Sequence, residues 1–403
     1  MRRWVKQIAV VLVVVLTFMG TFSGCKSATQ TSENSKENSE QAFSAEDTTR
    51  GTGSLADKLP EDFTLAMVVV TTSGGLFQKC AQMLELAGKA CGFKVIYDVG
   101  AVSPEEQITS VENVISAGAD AIVFINFTTD VLPKVAQICD ENKVYWAQFL
   151  RDVTDEEILS FLKSSKYYVG RAYTDEAAVA LDALASLKEN GVTKAAIVGP
   201  TTGDITTDTR AQVFKDNAAD YGIEVITEVR TLTDATDAAE AVNNIVASYP
   251  DCDGIFCISG SDSRGEGCIQ ALQSLGKAGE IKLAMVDFID GIADQIDNGT
   301  VTCAIGGQYP NILFTTMMLV NQLSGNPLNG EDKVLAKMHN LVLKSSADCE
   351  AYFKYCEGED GALAYNEDEI RALCKYFNPD LTYEKFQEVC DSYGMEDVLS
   401  RRQ

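Results

Sequence analysis

Histidine is almost absent from this 403-residue chain, in which His339 is the single example. This scarcity argues against a Ser-His-Asp triad, a multi-histidine zinc site and most general-base chemistry at neutral pH. The sequence also has no Walker loop, no G-x-S-x-G motif and no C-x-x-C motif. We therefore predict a protein that is not an enzyme and has no catalytic residues, no metal site and no cofactor. His339 is interpreted as a structural residue.

Positive charge is also scarce. The chain has 33 Lys and Arg residues against 59 Asp and Glu residues, which gives a formal net charge of −26. A chain this acidic is repelled by nucleic acid and by anionic lipid head groups. We therefore expect no nucleic-acid partner and no binding along a membrane surface.

No apolar run is long enough to span a bilayer. The longest, residues 8–22, follows a basic start at residues 2–6 and falls short of the roughly 20 residues that a transmembrane helix needs. These features predict a signal peptide over residues 1–24. The small residues before Cys25 resemble a lipobox, which implies that Cys25 is acylated, although Phe22 stands where that pattern usually has Leu. An ordinary cleaved signal with an incidental cysteine is the alternative.

The next segment is polar. Residues 26–54 are mainly Ser, Thr, Glu, Asn, Gln and Lys, and such a composition buries too little apolar surface to offset the entropy of ordering. We predict that residues 25–61 comprise the lipidated cysteine and a disordered linker. The protein would then be exported and held by lipid at the outer face of the cytoplasmic membrane, with the anchor as its only membrane contact.

From about residue 64 the chain alternates between continuous apolar runs and amphipathic segments. This pattern predicts α/β architecture with parallel sheets that helices cover on both faces, and ligands of such sheets bind beyond the carboxyl ends of the strands. Nine strands favour two sheets over one. The predicted strands are residues 65–70, 94–97, 121–125, 144–149, 195–198, 224–228, 254–258, 283–286 and 301–305.

Two segments interrupt this alternation. Residues 167–175 break the rhythm and are interpreted as a crossing between two lobes. After Pro327 the alternation stops, and we expect one last strand at residues 335–343. Short helices near residues 347–357, 366–377 and 383–393 then form a C-terminal extension that packs against the lobes.

Eleven cysteines remain besides Cys25. Export permits disulfides, but an odd number leaves at least one free thiol. Cys80 and Cys91 lie on one face of a predicted helix and are typical of core residues. One or two bridges are plausible among the last four, which are Cys349, Cys356, Cys374 and Cys390.

Several ordered segments together resemble a known family, the type I periplasmic binding proteins of the ribose/galactose class. These proteins are the solute-binding subunits of ABC sugar importers. The similarity runs from about residue 64 to residue 328 and is strongest at residues 107–126, where a helix precedes a Gly-x-Asp-Ala strand and Asn. The other matching segments are residues 68–77, 249–256, 285–287 and 307–310.

The resemblance implies a fold of two doubly wound parallel-sheet lobes joined by a three-segment hinge. The N-terminal lobe would comprise residues 62–173 and about 309–345, the C-terminal lobe residues 174–308, and the helical extension residues 346–403. It also implies that a small solute, most simply a sugar, is captured between the lobes by hinge closure. The partner of the closed form would be an ABC permease, and the protein itself would be a monomer.

The resemblance also implies ligand-binding residues. A sugar presents hydroxyls beside an apolar ring face, so carboxylates, amides, arginines and aromatic rings are the expected partners. In this chain Phe77 corresponds to a stacking ring, Arg151 and Arg210 to donors, Asp287 to a carboxylate acceptor and Gln308 to an amide. Four further positions complete the predicted site, namely Gln78, Asn126, Ser261 and Asp262. Three others are plausible cleft residues, namely Trp146, Asp204 and Tyr309, although buried packing is favoured for Trp146.

Each assignment has a structural alternative. Phe77 could belong to the core, Arg151 could form a surface pair with Asp152, and Arg210 could pair with Asp204 or Asp208. The function also has an alternative, because related lobes present a sugar or quorum signal to a membrane sensor kinase or chemoreceptor. The solute itself stays open among neutral sugars, sugar acids, phosphorylated signals and nucleosides.

Overall fold

The computed structural model describes residues 63–69, 72, 75–126, 128–358, 361 and 363–402. The predicted signal peptide, the predicted lipidation site at Cys25 and the whole of the predicted linker lie outside these residues. Within them the chain forms two six-stranded sheets. The strands, β1 to β12, are Thr64–Val69, Lys94–Val99, Ala121–Phe124, Tyr145–Leu150, Tyr168–Thr174, Lys194–Val198, Glu224–Val229, Gly254–Cys257, Lys282–Val286, Val301–Gly306, Val334–Met338 and Leu341–Leu343.

The α-helices of the same residues follow the strands in regular alternation until β10. The helices, α1 to α14, are Gly75–Cys91, Pro104–Ser116, Leu132–Asn142, Glu156–Ser164, Glu176–Glu189, Ile205–Asn217, Ala235–Ser248, Arg264–Ser274, Ile292–Asp297, Asn311–Leu323, Ser346–Tyr355, Glu367–Ala372, Tyr383–Asp391 and Met395–Arg402. None of these helices is both long and apolar enough to cross a membrane.

The two sheets have the same strand arrangement. The first runs β2-β1-β3-β4-β5-β11 and the second runs β7-β6-β8-β9-β10-β12. All neighbouring strands are parallel except β10 and β12. In each sheet the chain reverses its direction of travel beside the first strand, which makes both lobes doubly wound. The predicted fold class is confirmed.

Apolar burial on both faces of each sheet explains the continuous hydrophobic strands. Residues 65–69 of β1 are all completely buried, because α1 and α10 cover one face of the first sheet while α2, α3 and α4 cover the other. In the second lobe α5 and α6 cover one face. Continuous runs such as these are typical of parallel sheets enclosed by helices.

The nine predicted strands are all present, with ends that differ by one or two residues. The segment predicted as a crossing, residues 167–175, is itself mostly strand β5. It pairs with β4 and β11, and the approach to β11 is so close that a side chain at Gly170 would meet the Val334 carbonyl oxygen at 2.0 Å. Glycine permits this close approach of two backbones, but it has no apolar side chain. It therefore interrupts the hydrophobic pattern from which a strand would be predicted.

The chain passes between the sheets three times. It leaves the first sheet after β5, returns through residues 307–310, and passes again at residues 339–340 between β11 and β12. The single strand predicted at residues 335–343 is therefore two strands in different sheets. The predicted N-terminal lobe extended to about residue 345, whereas Leu341–Leu343 pairs with the second sheet. The other predicted lobe boundaries stay predictions.

The C-terminal extension, residues 346–402, packs on both lobes. Helix α11 contacts α9 and β12 of the second lobe, whereas α12 contacts α1 and α13 contacts β11 of the first. The extension also reaches the crossings, since the Tyr393 hydroxyl donates to the Gly307 carbonyl at 2.8 Å. His339, at the third crossing, lies 3.3 Å from Asp391.

All eleven described cysteines are buried and free. The bridges considered for the last four are therefore not formed in this structure. Burial raises the pKa of the Cys303 thiol to about 11, and it raises the pKa of the Cys80 thiol further. Such thiols stay protonated and behave as small apolar core residues.

Candidate ligand-binding cleft

A cleft lies where the strands of both sheets end, and it has two adjoining compartments. The ion-lined compartment has a volume of about 420 Å³ and is formed by Leu76, Phe77, Ile125, Leu150, Arg151, Thr174, Glu176, Pro200, Thr201, Asp204, Thr206, Thr207, Arg210, Ser259, Ser261, Asp262, Arg264, Asp287 and Gln308. The aromatic compartment has a volume of about 630 Å³ and is formed by Gly75, Leu76, Phe77, Lys79, Gly260, Ser261, Asp262, Ser263, Glu266, Asp287, Phe288, Ile289, Gly307, Gln308, Tyr309, Tyr352 and Glu357.

Most of the predicted ligand residues line this cleft. Gln78 does not, because it is exposed on α1. Asn126 does not either, because it is buried and its carboxamide oxygen accepts a hydrogen bond of 2.6 Å from Gln148. Contact with a ligand stays a prediction for the other seven, which are Phe77, Arg151, Arg210, Ser261, Asp262, Asp287 and Gln308.

Asp287 lies where the two compartments join. Its amide continues the strand by donating to the Ile305 carbonyl at 2.8 Å, and one carboxylate oxygen accepts from the Ser261 amide at 3.0 Å. The other carboxylate oxygen has no hydrogen-bond partner among the described residues. The same holds for the carboxamide of Gln308, which also borders both compartments. The junction therefore presents an acceptor and an amide to a ligand.

Backbone strain is concentrated at the strand ends that form the cleft. Leu150, Asp262, Ser263 and Asp287 have φ values between 55° and 73°. This left-handed region costs a non-glycine residue roughly 1–2 kcal/mol. Such strain clusters at ligand-binding sites because the surrounding structure holds it in place. At Leu150 part of the restraint is the Asn311 side chain, which accepts from the Leu150 amide at 2.7 Å.

Arg210 and Glu176 form a largely buried ion pair at the base of the ion-lined compartment. The Arg210 Nε donates to Glu176 at 2.6 Å, and an Nη donates to the Ile258 carbonyl at 2.9 Å. Burial raises the pKa of Glu176 above its ordinary value, although Arg210 opposes this shift. The two alternative partners considered for Arg210 are wrong, since Asp208 pairs with Arg230 and Asp204 pairs with Arg151.

Arg151 and Asp204 connect the two lobes across the cleft. Arg151 directly follows β4 of the first sheet, Asp204 caps helix α6 of the second lobe, and their side chains are 2.8 Å apart. Burial works to raise the pKa of Asp204, but Arg151 and the Thr207 amide outweigh it, so the pKa is lowered. The pair's stabilising contribution is therefore present above the ordinary pKa and is lost as the pH falls through the lowered value. The surface pair of Arg151 with Asp152 is not formed.

Replacing Asp204 with asparagine is expected to change the free energy of unfolding by less than about 1 kcal/mol. Both partners are partly exposed, and water screens such pairs. Asparagine keeps the cap of α6, so the substitution removes only the charge. We expect a wider distribution of lobe separations, measured by distances between spin labels on the two lobes. Asp234→Asn is the control, because Asp234 caps α7 and has no described ion-pair partner. An unchanged distribution would contradict a role for the pair in holding the lobes together.

Arg264 is a cleft residue that was not predicted from the sequence. It is buried beneath the loop after β8, where it donates to the side chains of Ser259, Ser261 and Asp262 at 2.8–3.0 Å. It therefore holds two predicted ligand residues in position. The sequence does contain a pattern that could have predicted this residue. A buried strand is followed by a Ser-rich loop and then by an arginine in the first turn of a helix, and loops at such strand ends carry binding residues.

Aromatic side chains form one wall of the aromatic compartment. The rings of Phe288 and Tyr352 meet edge to face with centroids 4.6 Å apart, and Phe77 stands half-buried at the junction. Tyr309 also borders the compartment, but its hydroxyl is taken up by the Cys356 carbonyl and the Ala364 amide. Trp146, considered as a cleft residue, is completely buried in the core.

Comparison with protein families gives a match over residues 65–327 to a periplasmic binding protein domain. No curated protein sequence matches the chain significantly.

Solved structures with the same fold include an ABC transporter solute-binding protein from Agrobacterium vitis bound with α-D-tagatopyranose. It is 19% identical, with a TM-score of 0.61, and the alignment covers 75% of this chain and 100% of that one. A sugar-binding protein of a sugar ABC transporter from Bacillus halodurans is 18% identical with a TM-score of 0.62, over 72% of this chain and 100% of that one. A protein from Actinobacillus succinogenes with bound D-allose is 19% identical with a TM-score of 0.61, over 72% and 100%.

Proposed function

The chain belongs to the periplasmic binding protein domain family, and on that premise we propose that it captures a sugar between its lobes and delivers it to an ABC importer. The observation that carries the proposal is the cleft between the lobes. Arg151 comes from the first lobe, while Arg210, Asp287 and Ser261 come from the second. A ligand in this cleft touches both lobes only when they are closed, so its binding favours closure.

The chemistry of the cleft supports a sugar as the solute. Asp287 and Gln308 offer an unused carboxylate oxygen and an unused carboxamide, which suit hydroxyl groups that both donate and accept. Phe77 supplies an apolar ring for the C–H face of a sugar. Three solved structures of the same fold are of sugar-binding or sugar-bound transport proteins, which supports the same class of solute here.

Delivery and anchoring complete the proposal. Two of the similar structures are of binding proteins that belong to ABC transporters, and a permease is the partner we propose for the closed form. Acylation of Cys25 would hold the binding lobes at the outer face of the membrane through the polar linker. This arrangement keeps the solute trap within reach of a permease.

A thermal-shift titration tests the proposal, and at least one sugar is expected to raise the melting temperature in a saturable way. A ligand at a hundred times its dissociation constant adds about 2.7 kcal/mol to the free energy of unfolding. The melting temperature is measured against concentration for a panel of pentoses, hexoses, inositol and nucleosides. Glycerol at equal concentration is the control for unspecific stabilisation by excluded cosolutes. If no sugar gives a saturable shift, the proposed function is wrong.

A further inference from the structure

The C-terminal extension supplies part of the cleft wall. Tyr352, on α11, and Glu357, just after it, line the aromatic compartment opposite residues of both lobes. Burial and the neighbouring Glu357 carboxylate raise the pKa of the Tyr352 hydroxyl, and Lys79 of the first lobe lies 3.6 Å from the same carboxylate. Tyr352 also packs its ring on Phe288 of the second lobe. The extension therefore does more than cover the outside of the lobes.

The cleft is large for a single sugar ring. Each compartment alone falls within the roughly 300–1,000 Å³ of small-molecule sites, and the two share one border at Phe77, Asp287 and Gln308. A ligand with one part bound to the arginines of the ion-lined compartment leaves the aromatic compartment free for a second part of the same ligand, here called the second group. That group would lie beside the Asp287 carboxylate, because the compartments meet there.

The lining of the aromatic compartment indicates the chemistry of the second group. Phe288 and Tyr352 offer apolar ring surface. Among its charged residues, the carboxylates of Asp262, Glu266, Asp287 and Glu357 outnumber the single ammonium of Lys79. This excess of negative charge disfavours phosphate and sugar acids, while carboxylates accept hydrogen bonds from neutral hydroxyls. Aromatic rings with carboxylates suit a neutral sugar ring.

We infer that the aromatic compartment is a second sugar subsite, built in part by the C-terminal extension, and that the natural ligand is a neutral disaccharide. This inference rests on the proposed function. One ring occupies the ion-lined compartment, and the other lies against Phe288 and is held by Glu357. The linkage between the rings passes Asp287 and Gln308.

Calorimetric titration of the full chain tests the inference with glucose, galactose and ribose against maltose, lactose, melibiose and cellobiose. At least one disaccharide is expected to bind about tenfold or more tightly than its component monosaccharides, since the second ring gains a hydrogen bond to a charged acceptor. Glu357→Gln, which loses the charged acceptor, and Phe288→Leu, which loses the aromatic face, are each expected to lower disaccharide affinity by about tenfold. The two variants should lower monosaccharide affinity much less, because Phe77, Asp287 and Gln308, the residues proposed to hold a single ring, are retained in both.

Glu388→Gln is the matched control, because Glu388 is exposed on α13 of the same extension. The melting temperature of each unliganded variant checks that it is folded. Equal affinity for disaccharides and monosaccharides, or disaccharide affinity that both variants leave unchanged, overturns the inference while the proposed function stands. Failure of every saccharide to bind overturns the proposed function as well.

Discussion

Replacing Arg210 with methionine is expected to lower the free energy of unfolding by about 3–5 kcal/mol, which is the usual cost of removing one partner of a buried ion pair. Arg210 and Glu176 have side chains only 6% and 14% exposed. Without the guanidinium, Glu176 keeps a buried charge and the Ile258 carbonyl loses its donor. Urea unfolding followed by circular dichroism measures the effect.

The double variant Arg210→Met/Glu176→Gln separates the stranded charge from the lost packing. It is expected to regain more than half of the stability that Arg210→Met loses, because a neutral amide is far less costly to bury than a carboxylate. Lys215→Met on the same helix is the control. Its pair with Glu228 is partly exposed, so its loss should cost less than about 1 kcal/mol. A double variant no more stable than Arg210→Met would contradict the role of the stranded charge.

The pH dependence of the Arg210→Met variant gives a second readout. Burial already raises the pKa of Glu176, and Arg210 works in the opposite direction, so the variant should raise this pKa further. A carboxyl group with a raised folded-state pKa stabilises the protein at low pH and loses that contribution as the pH rises through the folded value. The stability difference from wild type should therefore be larger at about pH 8 than at about pH 5. An equal difference at both values would point to packing alone.

The sequence predicts the sheets well because their signal is local. Parallel strands buried on both faces are short, continuous and apolar, and each is separated from the next by a helix. The strand at Tyr168–Thr174 was not predicted because Gly170 and Arg171 interrupt its apolar run. Both are needed by tertiary contacts, Gly170 for the approach of β11 and Arg171 for its ion pair with Asp152.

The site is less predictable because its residues act in pairs that are distant in the sequence. Residues at strand ends, such as Asp287 and Ser261, could be selected from position alone. The partners could not, since Arg210 pairs with a residue 34 positions away. Tyr352 could not be predicted as a cleft residue either, because nothing in the local sequence indicates that the C-terminal extension returns to the cleft.

Asp287→Asn is expected to weaken sugar binding by roughly 10- to 100-fold with little effect on the unliganded protein. A hydrogen bond to a charged acceptor contributes about 1.5–3 kcal/mol, and each 1.4 kcal/mol is about a factor of ten in affinity. Asparagine tolerates the left-handed backbone at this position. Its carboxamide oxygen can still accept from the Ser261 amide, so the loop after β8 keeps its anchor.

Two further variants assign the loss to the carboxylate and not to the backbone. Asp287→Gly removes the side chain and relieves the strain at φ 73°, so it should also lose affinity while remaining folded. Asp287→Ala keeps the β-carbon in the left-handed region but removes the polar group that can hydrogen-bond locally, so it should lose affinity and also melt at a lower temperature than Asp287→Gly. Asp290→Asn is the control, because Asp290 is exposed three residues further along and does not line the cleft.

Calorimetric titration with the sugar that gives the largest thermal shift measures the affinity of all four variants. Wild-type affinity in Asp287→Asn would mean that the Asp287 carboxylate is not the acceptor, whereas a loss shared with Asp290→Asn would mean that net charge, not position, controls binding.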